Sequence, residues 1–216
     1  MNETLVLREQ ICTLAKSLFD RGLTHGSTGN ISARTPDGGL LVSPTGTSLG
    51  RLDPARLSHF DAAGKLIGGD SPTKEMSLHT AFYDTRSTAG AVVHLHSCHS
   101  VALSMMPDVD EDNFLPHFTP YSVMKLGKVK LLPFFLPGDS AMGDAVRGLA
   151  GKRSAVMLAN HGPVVAGKDI EAACNSIEEL EDTARLAMML RGIDARMLSD
   201  EQVASVVQRF DVEWDD

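Results

Sequence analysis

The chain has 216 residues, 43% of them hydrophobic and 22% charged, enough to bury one sizeable core. A formal net charge of −8 with no basic run excludes a general nucleic-acid or anionic-membrane surface, which needs clustered Lys and Arg. Three cysteines in no paired spacing, Cys12, Cys98 and Cys174, suit reduced thiols, and no stretch reads as a signal peptide or a bilayer span, so a cytoplasmic protein is expected.

Leu7, Ile11, Leu14 and Leu18 recur at spacings of three and four and predict an amphipathic helix over 5–21, opened by Asn2 or Thr4 and closed at Gly22. Residues 25–34 then pass through Thr28, Gly29 and Asn30, small hydroxyl residues and glycines before a short strand. Such a loop either cradles an anion on open backbone N–H groups or makes an ordinary glycine turn. A turn at 36–39 and a returning strand at 40–42 predict a hairpin, and 43–48, with Thr45 and Gly46, is a second hydroxyl and glycine loop able to hold the other side of a phosphate. A short helical turn follows at 53–55 and a second hairpin at 58–67. Ser71 and Pro72 then open a predicted helix with Met76, Leu78 and Phe82 on its apolar side. Glu75 falls in its first turn, where a carboxylate gains about 0.3–1 kcal/mol from the helix dipole. His79, four residues on, shares the face of Glu75 and is read as a packing or supporting partner.

Residues 91–97, Ala-Val-Val-His-Leu-His-Ser, read as a buried strand. Its period of two places His94 and His96 on one face, about 7 Å apart along the strand, and both can converge on one metal ion, zinc foremost. His99 lies beyond that periodicity, in a helix running to Met106. Residues 108–112 are an acidic surface segment without the spacing of a calcium loop. Residues 115–121 read as a loop carrying His117 and Tyr121, candidates for substrate contact or proton transfer. A strand at 129–134 and a helix at 140–149 lead to a strand–turn–strand over 154–167, whose Asn160-His161-Gly162-Pro163 turn sets a third histidine, His161, at a strand end. Asp169 caps a long helix to about Leu190, with Glu178, Glu179, Glu181 and Asp182 on a solvated face. A last helix spans 199–210, and Trp214 packs on a neighbour.

Taken in order, Gly29-Asn30, Thr45-Gly46, Pro72-Thr73-Lys74-Glu75, His94-Leu95-His96 and Asn160-His161-Gly162 resemble the class II aldolase and adducin family, whose enzymes include L-fuculose-phosphate aldolase and L-ribulose-phosphate 4-epimerase. The resemblance covers nearly the whole chain. It implies an α/β fold layered αβα, a single domain over 1–216 with a mostly antiparallel central sheet flanked by helices, and a homotetramer with its sites at subunit junctions. It implies His94, His96 and His161 as ligands of zinc or another divalent metal, and Glu75 as a carboxylate that ligates the metal or transfers a proton. Thr28, Gly29, Asn30, Thr45, Gly46, Thr73 and Lys74 are implied as the substrate and phosphate site.

Family aldolases tend to carry two serines before the glutamate, where this chain has Thr73-Lys74. A cation in place of a hydroxyl favours a second anionic group on the substrate, such as a carboxylate beside the phosphate. With Phe118-Thr119-Pro120-Tyr121 and Leu136-Pro137-Gly138-Asp139, this departure most resembles the family's 3-oxo-tetronate 4-phosphate decarboxylases. The implied activity is a zinc-dependent carboxy-lyase that releases CO2 and dihydroxyacetone phosphate through a metal-stabilised enediolate, in four-carbon sugar acid catabolism. Glu75, or Tyr121 of the partner subunit, is the expected proton donor. A sugar-phosphate aldolase or epimerase is the alternative on the same residues. An adducin-like interaction protein is disfavoured, because all three histidines and Glu75 are present.

Overall fold

Two central strands, β5 (Ala91–His94) and β7 (Ala155–Leu158), are buried along both faces, so the sheet they belong to must be covered on both sides. The computed structural model describes residues 3–214. Its sheet has eight strands: β1 (Asn30–Arg34), β2 (Leu40–Val42), β3 (Ser58–Phe60), β4 (Leu66–Gly68), β5, β6 (Lys130–Leu132), β7 and β8 (Gly162–Gly167). They are ordered β4-β3-β2-β1-β5-β8-β7-β6, and every pairing is antiparallel except β6 with β7.

Alternation sorts the core into two layers. One face takes Ile31, Ala33, Ala91, Val93, Met157 and Val165 against α1 (Glu3–Asp20) and α6 (Ile170–Met189). The other takes Val92, Val156, Leu158 and Val164 against α2 (Met76–Thr85) and α5 (Ala141–Gly148), whose Leu78, Phe82, Met142 and Val146 are buried. This is the αβα sandwich with a mostly antiparallel sheet that the sequence leads one to expect. Residue 94 shares the parity of Val92, so its side chain faces α2. The hydrophobic layer therefore ends in polar residues where β5 leaves the sheet.

Several boundaries differ from the sequence expectation. Asn2, one of the two predicted caps of α1, lies outside the described residues. The helix expected from Ser71 begins at Met76 instead: Pro72 pairs with Pro44 in an isolated bridge, Thr73 N–H donates to the Ser43 carbonyl, and Glu75 becomes the N-cap residue without capping through its side chain. The strand of the two histidines ends at His94, so His96 stands just past the ladder. Part of the loop expected at 115–121 is helical, since Pro120 starts α4 (Pro120–Leu126), packed on α6 and on α7 (Asp200–Phe210). Proline at the first helical position needs no N–H partner, which is why a segment read as loop can open a helix there. Trp214 lies against His117 and Lys128, within its own chain. Burial pushes the Cys174 thiol up to about 12, as suits an inert core cysteine. No helix among the described residues is long and apolar enough to cross a membrane.

The acidic face of α6 is not uniformly solvated. Glu178 pairs with Arg21, and Glu181 turns inward to α3 (Cys98–Ser104), accepting from the backbone N–H groups of His99 and Ser100, the His99 ring and the Ser100 hydroxyl at 2.8–2.9 Å. A carboxylate from another element thus satisfies the open N–H groups that begin α3. Replacing Glu181 with Ala is expected to cost about 1–3 kcal/mol, read as a lower urea midpoint at unchanged slope, whereas a solvated glutamate would cost almost nothing.

Candidate metal centre

β5 delivers the first ligand candidate. His94 is fully buried, and its Nδ1–H donates to the Pro163 carbonyl on the adjacent strand at 2.9 Å. That bond fixes the tautomer, so Nε2 carries its lone pair away from the strand with no hydrogen-bond partner. The same carbonyl accepts the backbone N–H of Leu95 at 3.2 Å, tying the exit of β5 to the start of β8. His161 arrives from the opposite strand through the tight turn at Asn160, whose φ of +58° is open to asparagine. Gly162 lets that turn close over β5: a Cβ there would stand 2.0 Å from the Leu95 carbonyl oxygen and 3.2 Å from the His94 ring.

The three imidazoles converge. Ring centroids lie 5.0 Å apart for His94 and His96, 4.9 Å for His94 and His161, and 4.7 Å for His96 and His161, with one nitrogen from each within 4.8 Å of the others. Glu75 closes the set from the start of α2, with Oε2 at 3.5 Å from His94 Nε2 and Oε1 at 3.5 Å from His161 Nε2. Burial, reinforced by the neighbouring rings, pushes His94 and His96 down to about 3, and burial lowers His161 against the pull of Glu75, so the rings are neutral. These contacts are therefore not ion pairs, and at 3.5 Å they are too long to be good hydrogen bonds. Both His161 nitrogens and Nε2 of His94 stay buried without a partner.

A cluster of buried lone pairs facing a carboxylate is costly alone and is satisfied by a cation at its centre. Three neutral imidazoles and a carboxylate suit zinc and other divalent transition metals. The residues thus fit a metal.

The segments read as anion-binding loops come together beside this centre. Ser43 accepts from the backbone N–H of Ile31 through its hydroxyl and donates its own N–H back to the Ile31 carbonyl, Thr45 N–H donates to Ser71, and Thr73 Oγ1 accepts the backbone N–H of Glu75. The 43–46 loop therefore lies between the start of β1 and the 71–75 segment. Gly46, at φ +69°, has open space on its Cβ side. Lys74 is exposed next to Glu75, and its Cβ lies against Gly138 of the Leu136–Asp139 stretch. Two other sequence candidates are occupied locally. The Thr28 hydroxyl donates to the His25 carbonyl at 2.6 Å, and the Asn30 amide is shared between Glu75 and His79.

The remaining candidates lie away from this centre. Tyr121 is 57% exposed on α4, on the sheet face opposite α2. His117 is bound to Asn113, and its carbonyl accepts from Leu198. Sequence reasoning missed Ser32 and Tyr83. Their signal was a shared spacing: Glu75, His79 and Tyr83 fall four apart, and Asn30 and Ser32 fall two apart on one strand face.

The description Class II Aldolase and Adducin N-terminal domain matches residues 9–188. An Escherichia coli protein named 3-oxo-tetronate 4-phosphate decarboxylase is 45% identical over 200 residues, covering 93% of this chain and 94% of its own. An L-fuculose phosphate aldolase of Methanococcus maripaludis is 34% identical over 185 residues, covering 85% of this chain and 96% of its own. The crystal structure of Escherichia coli YgbL, described by the alternatives aldolase/epimerase/decarboxylase, superposes with a TM-score of 0.91 at 43% identity, covering 94% of this chain and 98% of the other.

Neutral buried histidines set a pH signature. The value of His94, like that of the buried His79, falls from 6.5 to about 3 in the folded chain. As pH drops through 6.5 the unfolded chain takes up protons that the folded one does not, so stability rises with pH across this window. For the metal-free protein, the urea midpoint is expected to fall steadily from pH 7.5 to pH 5. A flat profile would mean that the rings ionise while folded.

Proposed function

The chain belongs to the class II aldolase and adducin family, and within it we propose a metal-dependent carboxy-lyase that converts 3-oxo-tetronate 4-phosphate to dihydroxyacetone phosphate and CO2, in four-carbon sugar acid catabolism. The observation that carries this reading is the constellation of buried, unpartnered imidazole nitrogens facing Glu75. The name of the 45% identical relative supports decarboxylation in particular.

His94, His96 and His161 would hold the divalent ion, zinc by the nature of the donors, with Glu75 as a further ligand or as the group that carries a proton. A cation bound there supplies a Lewis acid that favours electron density on the 3-oxo oxygen of the substrate. The reaction breaks the C1–C2 bond, moves its electron pair toward that oxygen, releases C1 as CO2 and adds one proton at C2. Glu75, 7% exposed at the edge of the apolar layer, is placed to hold that proton while bulk water is kept back. Tyr121 points outward on α4, as suits a donor acting in the partner subunit's site within a homotetramer.

The substrate has two anionic ends. Thr45, Gly46 and Thr73, with Gly29 just before β1, would receive the phosphate. Lys74 would meet the carboxylate as a point charge on a flexible stem. Holding both ends orients the scissile bond, and that orientation is where binding energy enters the rate. A class II sugar-phosphate aldolase is the second reading, favoured by the 34% identical L-fuculose phosphate aldolase. Both reactions break a carbon–carbon bond next to a hydroxyl-bearing carbon and leave the electron pair conjugated with a carbonyl; they differ in whether CO2 or an aldehyde departs.

Incubating metal-loaded protein with 3-oxo-tetronate 4-phosphate is expected to yield CO2 and dihydroxyacetone phosphate in equal amounts, above the spontaneous loss of CO2. No excess over the blank, with cleavage of L-fuculose 1-phosphate instead, would replace the first reading by the second. His94→Ala is expected to lose bound metal and activity together, by elemental analysis and assay. A metal-loaded, fully active variant would remove His94 from the ligand set.

A further inference from the structure

Behind Glu75 the sheet carries a run of buried polar groups that the reaction above does not use. Asn30 Nδ2 lies 2.7 Å from Glu75 Oε2, and Asn30 Oδ1 lies 2.5 Å from His79 Nε2. Ser32 Oγ lies 2.7 Å from His79 Nδ1 and 2.8 Å from the Tyr83 hydroxyl. Asn30, Ser32, His79 and Tyr83 are all buried, His79 and Ser32 completely, so the links between them stand in for water.

With Glu75 as an accepting carboxylate and a single proton on the His79 ring, the donors and acceptors admit one consistent assignment. An ionised carboxylate only accepts, so Asn30 presents Nδ2 to Glu75 and turns Oδ1 to His79. His79 Nε2 must then carry a proton. With that one ring proton on Nε2, Nδ1, 2.7 Å from Ser32 Oγ, accepts from the Ser32 hydroxyl. The Ser32 oxygen accepts in turn from Tyr83. Every donor points toward Glu75, and reversing one link would set two acceptors or two donors face to face.

We propose that Tyr83, Ser32, His79 and Asn30 form a one-way hydrogen-bond chain that fixes the Glu75 carboxylate at the centre, with Asn30 as the positioning residue that touches it. The chain holds Oε2 from behind and leaves Oε1 beside His161. It rests on the reading of Glu75 as the working carboxylate of the site, and not on which substrate is cleaved.

The first test is 15N NMR of histidine-labelled, zinc-loaded protein. The neutral Nε2–H tautomer is expected for His79 at pH 7, and an Nδ1–H tautomer or an imidazolium would overturn the chain. The second compares His79→Gln, whose amide N–H can replace the Nε2–H donor, with His79→Leu, which has none. The Leu variant is expected to keep its zinc and lose kcat by about 10- to 100-fold with KM little changed, and the Gln variant to recover most of that loss. Equal loss in both, loss in neither, or loss of zinc in place of kcat would overturn the proposal. If the Leu variant does not fold, the Gln variant and the tautomer decide. If the unmodified protein turns over no substrate, the functional reading fails by itself, while the tautomer still tests the chain.

Discussion

One hydrogen bond between neighbouring strands sets the terms for the rest of the site. His94 sits at the last residue of β5, and the antiparallel pairing with β8 puts the Pro163 carbonyl within 2.9 Å of its Nδ1. With that nitrogen committed as a donor, the other can only present a lone pair, and the ring cannot turn without giving up a buried hydrogen bond. The same stretch of β8 is preceded by the turn that carries His161. The element that fixes the first imidazole therefore also delivers another.

The cost of this arrangement is electrostatic. Buried imidazole nitrogens without partners and a carboxylate 3.5 Å away gain little from one another while the rings are neutral. A divalent cation changes the sign of that balance, because each lone pair and the carboxylate become ligands at once. Metal binding and folding are then linked, since the unfolded chain has no such cluster to offer. The surrounding core makes the arrangement tolerable: both sheet faces are packed, and the polar cluster is confined to one end of the layer beneath α2 and α5.

Around that centre the fold collects three loops that are far apart in the chain. Bonds from Ile31 to Ser43, from Thr45 to Ser71 and from Thr73 to Ser43 lock them side by side, next to Glu75 and the exposed Lys74. On the proposed reading, loops fixed in this way beside the histidine cluster would hold a phosphorylated acid without reorganising as charge moves. Asn30 ties the start of β1 to this cluster, its Nδ2 on Glu75 and its Oδ1 on His79.

Much of this was legible in the sequence, because it rests on local periodicity and residue chemistry. Period-two spacing set His94 and His96 on one face, the Asn160–Pro163 stretch announced a turn with a histidine in it, and the apolar spacing outlined α1 and α6. The order of five short motifs indicated the family. What the sequence left open depended on partners distant in the chain. Glu181 looked like one more solvated charge until α3 was seen to start against it, Tyr121 looked like a loop residue until α4 packed on α6, and the contact of Asn30 with His79 is visible from neither residue alone. The sequence by itself determined which residues could do the chemistry, since side-chain type and spacing along a strand or helix are local properties. Only the tertiary structure decided which of them face one another and which way each proton points, since a hydrogen bond across 45 or 69 residues exists only once the chain has brought its two ends together.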